Sequence, residues 1–198
     1  MSKIYVTFST FLFALIVCAA AFAVPEQYQG RIYQPGKLKA IDSESVLKVG
    51  DKAPDFTLPS LSGGPVSLSS FAGKKNVVIS FVPAAWTPVC SEQWPGHNLL
   101  RTSFEAKNTV LLGITVDNLP TLFAWTTDMG GACFPVLSDF WPHGEVARKY
   151  GVLRLNGVSE RALFVIDRKG IIRDIDVHDI NVRPKMETLM SELDKLNN

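Results

Sequence analysis

The residue best placed for chemistry in this chain is Cys90. It ends the run that starts at Pro83, directly after the apolar stretch 76–82, so the thiol lies where a buried strand ends and a helix begins. Thr87 supplies a hydroxyl three residues upstream, and the positive end of a helix dipole lies beside the sulfur. Both features favour the thiolate over the thiol. The sequence therefore predicts a reactive cysteine.

A leader precedes the domain that carries this thiol. Residues 1–23 contain one basic residue, no acidic residue, an apolar core at 11–17 and the A-x-A sequence 21–23. This pattern predicts a secretory signal peptide and an exported protein, periplasmic in a Gram-negative bacterium and otherwise secreted, without stable membrane insertion. Cys18 raises lipidation as an alternative, but Val17 stands where lipoprotein signals prefer a small residue.

The composition of the mature chain limits its partners. Cleavage after Ala23 leaves 175 residues, enough for one sizeable core, with 19 basic and 19 acidic side chains. This balance does not indicate nucleic acid or an anionic membrane as a partner. Cys18 leaves with the signal peptide, so Cys90 and Cys133 remain. In an oxidising compartment, a structural disulfide between them is the alternative to a reactive thiol.

Short apolar runs alternate with amphipathic stretches along the rest of the chain. Residues 24–48 are polar and rich in turn formers, which predicts an extended arm before a compact domain at 49–198. We expect strands near 55–58, 65–68, 76–82, 109–116, 134–137, 162–167 and 171–177, and helices at about 90–107, 119–129, 143–150 and 185–196. This order predicts an α/β fold, a central mixed β-sheet covered by helices on both faces.

The residues that follow Cys90 narrow its chemistry. A dithiol exchange enzyme needs a second cysteine three residues on, where Gln93 stands, and a copper carrier of the same fold needs one four residues on, where Trp94 stands. His97 and one thiolate are a poor set of metal ligands. We therefore expect no metal and no cofactor, and we expect His97 to be a surface residue.

The run P-x-x-x-T-x-x-C, formed by Pro83, Thr87 and Cys90, resembles the active-site signature of the peroxiredoxins, thiol peroxidases of the AhpC/TSA type. Further blocks resemble the opening, the middle and the closing hairpin of that family, in the same order: 50–58, 134–139 with 144–152, and 161–167 with 170–173. The segment 138–144 resembles most the one-cysteine bacterial branch related to alkyl hydroperoxide reductase E.

This resemblance implies a thioredoxin-like fold and a thiol-dependent peroxidase. The thiolate of Cys90 would attack the O–O bond of hydrogen peroxide or an alkyl hydroperoxide and become a sulfenic acid. Arg161 matches the arginine that reaches the thiolate in the family, and Thr87 and Pro83 complete the site. The implied partners are the peroxide, a thiol reductant such as a thioredoxin-like protein, and a second copy of the chain in a homodimer.

The sequence departs from the family beside the thiol. Many members have a glutamate that orients the arginine where this chain has Gln93, so we expect Arg161 to be held less tightly. Pro95 and Gly96 fall inside the active-site helix, and a proline beyond the first turn removes an interior hydrogen bond. We expect a kink or a late helix start there.

Two questions stay open at this point. Cys133 is either a resolving cysteine that forms a disulfide with oxidised Cys90 or a core or incidental cysteine, in which case an external thiol recycles the enzyme. The alternatives for function are an extracytoplasmic thiol-disulfide oxidoreductase and a non-catalytic binding domain of the same fold. Thioredoxins carry a proline where this chain has 159–162, which argues against the first, and the presence of both Cys90 and Arg161 argues against the second.

Overall fold

The computed structural model describes residues 30–44 and 46–196. The predicted signal peptide and the first residues of the predicted arm lie outside the described residues. The strands are β1 Thr57–Pro59, β2 Pro65–Ser67, β3 Asn76–Phe81, β4 Thr109–Thr115, β5 Val136–Ser138, β6 Arg161–Ile166 and β7 Ile172–His178. The helices are α1 Pro88–Leu99, α2 Arg101–Ala106, α3 Leu119–Asp128, α4 Glu145–Lys149 and α5 Met186–Lys195, with a short 3-10 helix at Leu68–Phe71. Within the described ranges, none of the helices has the length and apolar character that a membrane span requires.

Five strands form the central sheet in the order β5-β4-β3-β6-β7. The first three are parallel to one another, β6 runs antiparallel to β3, and β7 pairs with β6 as an antiparallel hairpin. The predicted mixed sheet is therefore confirmed. The strands β1 and β2 form a separate antiparallel pair.

The central strand β3 explains why both faces of the sheet are covered. All six of its residues are buried, as expected for an apolar strand between two neighbours with layers above and below. Ile79 and Phe81 pack on one side with Tyr150, next to the end of α4. Val78 packs on the other side with Phe104 of α2 and with α5. The predicted α/β fold with helices on both faces is confirmed.

The active-site helix differs from the expected single helix at 90–107. It begins at Pro88, where the missing N–H of proline costs nothing because the first N–H groups of a helix have no partner within it. The helix runs through Pro95 to Leu99, and a second helix follows from Arg101. The expected late start is wrong, and the helical segment is interrupted at Leu100. The alternative expectation, a kink at Pro95, stays a prediction.

The described part of the arm contains no helix or strand up to residue 48. Its backbone hydrogen bonds go to distant parts of the domain: the N–H of Tyr33 donates to the carbonyl of Trp86, and the carbonyl of Ala40 accepts from the N–H of Ile180. The arm thus lies against the end of the sheet where α1 begins.

Candidate active site

Cys90 is the third residue of α1, the helix that follows the loop after β3. Its side chain is fully buried, and the thiol is free. The N–H of Cys90 belongs to the first turn of the helix, where N–H groups have no intrahelical partner and the dipole is positive. The sulfur therefore occupies a site where negative charge is favoured.

Arg161 brings a positive charge to this sulfur. It is the first residue of β6, and the register that pairs Phe81 with Ala162 places it beside the end of β3, where the loop to α1 begins. Its Nη2 lies 3.5 Å from the Sγ of Cys90, and the side chain is 2% exposed. The structure thus brings together two of the residues that the sequence predicted for the site.

Two neighbours hold the guanidinium through three hydrogen bonds. Nη1 donates to the Oε1 of Gln93 at 2.5 Å, while Nε and Nη2 both donate to the carbonyl of Ile180, at 3.2 and 3.0 Å. Gln93 is fixed in turn, because its Nε2 donates to the hydroxyl of Ser80 at 3.2 Å. The expectation that Arg161 is held less tightly without a glutamate stays a prediction; in this structure the amide oxygen of Gln93 accepts from Nη1 in place of a carboxylate.

The loop before α1 positions Thr87. Its hydroxyl donates to the carbonyl of Ala84 at 3.0 Å. The preceding residue, Trp86, has a φ of 60°, a left-handed conformation that is rare for a large side chain. The N–H of Tyr33 donates to the Trp86 carbonyl at 2.7 Å, and the carboxylate of Asp117 accepts from the N–H of Ala85 at 2.8 Å. These bonds hold the loop in its unusual conformation.

A cavity of about 560 Å³ opens on the outer side of this loop. Pro83 and Thr87 line it from the loop, Tyr33 and Leu38 from the arm, and Ile180 from the segment after β7. Most of its wall is apolar. The structure therefore places the predicted site residues Pro83 and Thr87 in the wall of a cavity that the arm helps to enclose.

Cys133 lies apart from Cys90. It is exposed, its N–H donates to the Oδ1 of Asn98 at 2.9 Å, and its Sγ lies 3.9 Å from the Asn98 carbonyl. Asn98 is eight residues after Cys90 on α1, which separates their Cα atoms by about 12 Å along the helix. A disulfide requires Cα atoms within about 7 Å. Cys133 is thus not a core residue, which leaves the incidental and the resolving cysteine as alternatives, and the two thiols are not paired. Partial burial raises the pKa of the Cys133 thiol.

His97 is not a surface residue, so the expectation for it is wrong. It is fully buried on α1, and its ring lies 6.2 Å from that of Phe134. Neither ring nitrogen has a hydrogen-bond partner. Burial lowers its pKa to about 3, with the charge of Arg183 as a secondary cause.

Over residues 30–44 and 46–196, no three His, Cys, Asp or Glu side chains are grouped as metal ligands.

Sequence reasoning missed two parts of the site. Ile180 contributes only a backbone carbonyl, which has no signature in the sequence. Asn181 bonds to the arm through its side-chain amide, at a sequence distance of 143 residues from Leu38. The polar arm and the asparagine are both visible in the sequence, but nothing in their spacing indicates that they meet.

The fold and the site together define a thiol-dependent oxidoreductase with a thioredoxin-like fold. The AhpC/TSA family model matches residues 49–175, and the chain belongs to this family. It is 42% identical over 129 residues to alkyl hydroperoxide reductase E of Mycobacterium tuberculosis, a match that covers 65% of this chain and 84% of that protein. It is 33% identical over 158 residues to the chloroplastic 2-cysteine peroxiredoxin of Chattonella marina var. antiqua, covering 73% and 80%.

Solved structures give the same result. The reduced 2-Cys peroxiredoxin of Plasmodium vivax superposes with a TM-score of 0.72 at 29% identity, over 76% of this chain and 82% of that chain. AhpC of Mycobacterium tuberculosis gives a TM-score of 0.70 at 25% identity, over 77% and 94%. The expected peroxiredoxin resemblance, thioredoxin-like fold and thiol peroxidase activity are confirmed.

Proposed function

We propose that this peroxidase reduces alkyl hydroperoxides, and hydrogen peroxide with them, through the thiolate of Cys90. The observation that carries the proposal is the guanidinium of Arg161, whose Nη2 lies 3.5 Å from the Cys90 sulfur. A guanidinium stabilises the thiolate, and its fixed fork of N–H groups can also bind a peroxide oxygen.

The chemical step follows from this geometry. The thiolate attacks the terminal oxygen of the hydroperoxide, the S–O bond forms as the O–O bond breaks, and alkoxide or hydroxide leaves and takes up a proton. Sulfur is oxidised to sulfenic acid, and the peroxide is reduced to an alcohol or water. The charge moves from sulfur to the leaving oxygen, where the N–H of Cys90 and the guanidinium of Arg161 stabilise it.

Thr87 orients the peroxide in this scheme. Its hydroxyl proton is directed at the carbonyl of Ala84. The lone pairs of Oγ1 are thus left to accept a hydrogen bond from the O–H of the hydroperoxide. Such a bond turns the terminal oxygen towards the sulfur and the organic group away from it.

The cavity supports alkyl hydroperoxides as substrates. Its volume of about 560 Å³ far exceeds what hydrogen peroxide needs, and ligand pockets of this size are typically lined by apolar side chains that bury apolar ligand surface. Pro83 and Leu38 both line the cavity. An organic group that extends from Thr87 into this space would be sheltered from water.

We further propose that an external thiol recycles Cys90. Cys133 lies at the far end of α1 and would have to travel the length of the helix to reach the sulfenic acid. Two external thiols balance the reaction: they return the sulfenic acid to a thiol, release water and leave as a disulfide.

Export and pairing complete the proposal. The predicted signal peptide at 1–23 supports an exported, periplasmic or secreted enzyme, and the N-terminal sequence of the mature protein tests it.

Trp141 and Leu155 are 80% and 91% exposed, on loops joined by the hydrogen bond between His143 and the Gly157 carbonyl. Exposed apolar side chains of this size support a homodimer contact. The mass in solution of Trp141→Ser should be that of a monomer if these loops pair.

The decisive experiment measures how fast the reduced protein is oxidised. Tryptophan fluorescence in a stopped-flow instrument follows the reaction with hydrogen peroxide and with cumene hydroperoxide, in the wild type, Cys90→Ser and Cys133→Ser. We expect rapid oxidation in the wild type and in Cys133→Ser, none in Cys90→Ser, and the faster reaction with the organic peroxide. A rate no higher than that of a free thiol would refute the peroxidase and leave a disulfide oxidoreductase or a binding domain.

A further inference from the structure

The guanidinium of Arg161 depends on a segment that lies beyond the family match. The carbonyl of Ile180 accepts two of its N–H bonds, at 3.2 and 3.0 Å. Ile180 follows the last residue of β7, His178, by two positions, whereas the family model ends at residue 175. The direction of this one carbonyl therefore helps to set where the guanidinium lies relative to the sulfur.

The N-terminal arm holds that segment in place. The N–H of Leu38 donates to the Oδ1 of Asn181, and the Nδ2 of Asn181 donates to the carbonyl of Leu38, both at 2.9 Å. The N–H of Ile180 donates to the carbonyl of Ala40 at 3.0 Å. Three hydrogen bonds thus join the arm to the two residues that include the carbonyl partner of Arg161.

A buried ion pair anchors the arm. The Oε1 of Glu160 accepts from the N–H groups of Asp42 and Ser43, at 2.6 and 2.8 Å. Glu160 also pairs with Arg154, whose Nη2 donates to the carbonyl of Lys39 at 2.8 Å. Both side chains of the pair are almost fully buried. Loss of the arm would take two N–H donors from the buried carboxylate of Glu160 and the carbonyl acceptor from the buried guanidinium of Arg154, so the arm is firmly seated.

We propose that residues 38–43, defined here as the arm clamp, are part of the catalytic machinery of this enzyme, and that Asn181 is a positioning residue for Arg161. The arm clamp fixes the Ile180 carbonyl, the carbonyl fixes the guanidinium, and the guanidinium stabilises the thiolate of Cys90. The inference rests on the proposed function, since it assigns Arg161 a role in the reaction of Cys90.

The physical reason lies in how strongly catalysis depends on position. A guanidinium that shifts by a fraction of the 3.5 Å contact no longer stabilises both the thiolate and the departing oxygen, and small misplacements of catalytic groups are costly. Gln93 still holds Nη1 when the arm clamp is lost, but Nε and Nη2 then bond to a carbonyl whose segment has lost its three hydrogen bonds to the arm.

Asn181→Ala tests the proposal, with Asn98→Ala as the matched control. Asn98 makes the same kind of paired contact, donating to the carbonyl of Gly131 at 2.8 Å and accepting from the N–H of Cys133 at 2.9 Å, at the other end of α1. The readouts are the rate of oxidation by hydrogen peroxide, which does not need the cavity, the pH profile of that rate, and the thermal midpoint of unfolding.

We expect Asn181→Ala to lower the rate about tenfold and to move its pH profile to higher pH, because the thiolate loses support from Arg161. Asn98→Ala should lose comparable stability and keep the wild-type rate and profile. If Asn181→Ala does not fold, Leu38→Pro is the second variant. It removes the N–H that donates to Asn181, in a segment outside every helix and strand, and the same decrease in the oxidation rate is expected.

The possible failures are distinguishable. A wild type that reacts no faster than a free thiol refutes the proposed function. A fast wild type with an unchanged rate and pH profile in Asn181→Ala and Leu38→Pro overturns the arm clamp and leaves the peroxidase intact. Equal losses of rate in Asn181→Ala and Asn98→Ala also overturn it, because they would reflect stability alone.

Discussion

Gln93 accepts a hydrogen bond of 2.5 Å from the Nη1 of Arg161, and both side chains are buried beside the thiol of Cys90. The amide thus orients the guanidinium as a carboxylate would, without adding a negative charge. A carboxylate at this position would compete with the thiolate for the positive charge, because opposite charges in a buried site interact strongly. The neutral partner leaves that charge available to the sulfur.

This arrangement predicts different outcomes for two substitutions of Gln93. Gln93→Glu should keep Arg161 in place and move the pH profile of Cys90 oxidation to higher pH, because the new carboxylate opposes the thiolate. Gln93→Leu should lower the oxidation rate about tenfold at every pH, because Nη1 loses its partner. Stopped-flow oxidation by hydrogen peroxide over a pH series measures both.

Asn108→Asp is the control for added charge. Asn108 directly precedes β4, at the opposite end of the parallel strands from Cys90. The same negative charge there should leave the pH profile unchanged. An equal shift in Gln93→Glu and Asn108→Asp would mean that net charge, and not the partner of Arg161, sets the profile.

The position of Cys133 predicts that the oxidised enzyme contains no internal disulfide. Its backbone is bonded to Asn98, about 12 Å along α1 from Cys90, so the sulfenic acid should persist until an external thiol reacts. Mass spectrometry after one equivalent of peroxide should find one added oxygen in the wild type and in Cys133→Ser. A loss of two hydrogens in the wild type alone would identify Cys133 as the resolving cysteine and require its segment or α1 to move.

Features encoded over short distances could be predicted from the sequence. The apolar run of β3 predicts a buried strand at Asn76–Phe81, and the hairpin β6–β7 is predicted by its turn residues. In that turn, the Oδ1 of Asp167 accepts from the N–H groups of Lys169 and Ile171, and Gly170 takes a φ of 78°. Turn hydrogen bonds of this kind can be predicted from the sequence because both partners are close in the chain.

The contacts that hold Arg161 in place could not be predicted in the same way. They are made by backbone groups of Leu38, Ala40 and Ile180, and because every residue has such groups, the residue types do not indicate which ones pair. The arm has no periodicity that would indicate which of its residues contact the domain. The expectation for His97 is wrong for a different reason: His97 lies on the same buried face of α1 as Cys90 and Trp94, so its polar side chain does not mark an exposed face.

The absence of a side chain at Gly113 allows α1 to pack against the sheet. A Cβ there would lie 2.8 Å from the Cζ2 of Trp94 and 2.9 Å from the Cε2 of Phe134. We expect Gly113→Ala to lower the free energy of unfolding by about 1–3 kcal/mol, because overpacked cores force their neighbours to move. Gly64→Ala is the matched control, since a Cβ on Gly64 would meet nothing within 4 Å. Urea unfolding of both variants tests the prediction, and equal stabilities would contradict it.

The buried imidazole of His97 makes the free energy of unfolding depend on pH in the acid range. The folded state holds the pKa of His97 at about 3, because burial opposes its charge, whereas the unfolded chain has the ordinary value of 6.5. Below pH 6.5 the unfolded state therefore binds a proton that the folded state does not, and stability decreases as the pH falls towards 3. The slope for one proton is about 1.4 kcal/mol per pH unit at most.

His97→Leu should remove this dependence and with it two buried nitrogens that have no hydrogen-bond partner. At pH 8 we expect the variant to be at least as stable as the wild type, because an apolar side chain leaves no unsatisfied polar group. The difference between the two proteins should widen as the pH falls from 6.5 to 4.5. Asp139 and Asp174 have raised pKa values, mainly through burial, and make the opposite contribution at low pH. They are present in both proteins, so they cancel in the difference between the two free energies of unfolding in urea. A difference that stays constant over this range would mean that His97 takes up its proton as readily in the folded protein as in the unfolded chain, and that burial does not lower its pKa.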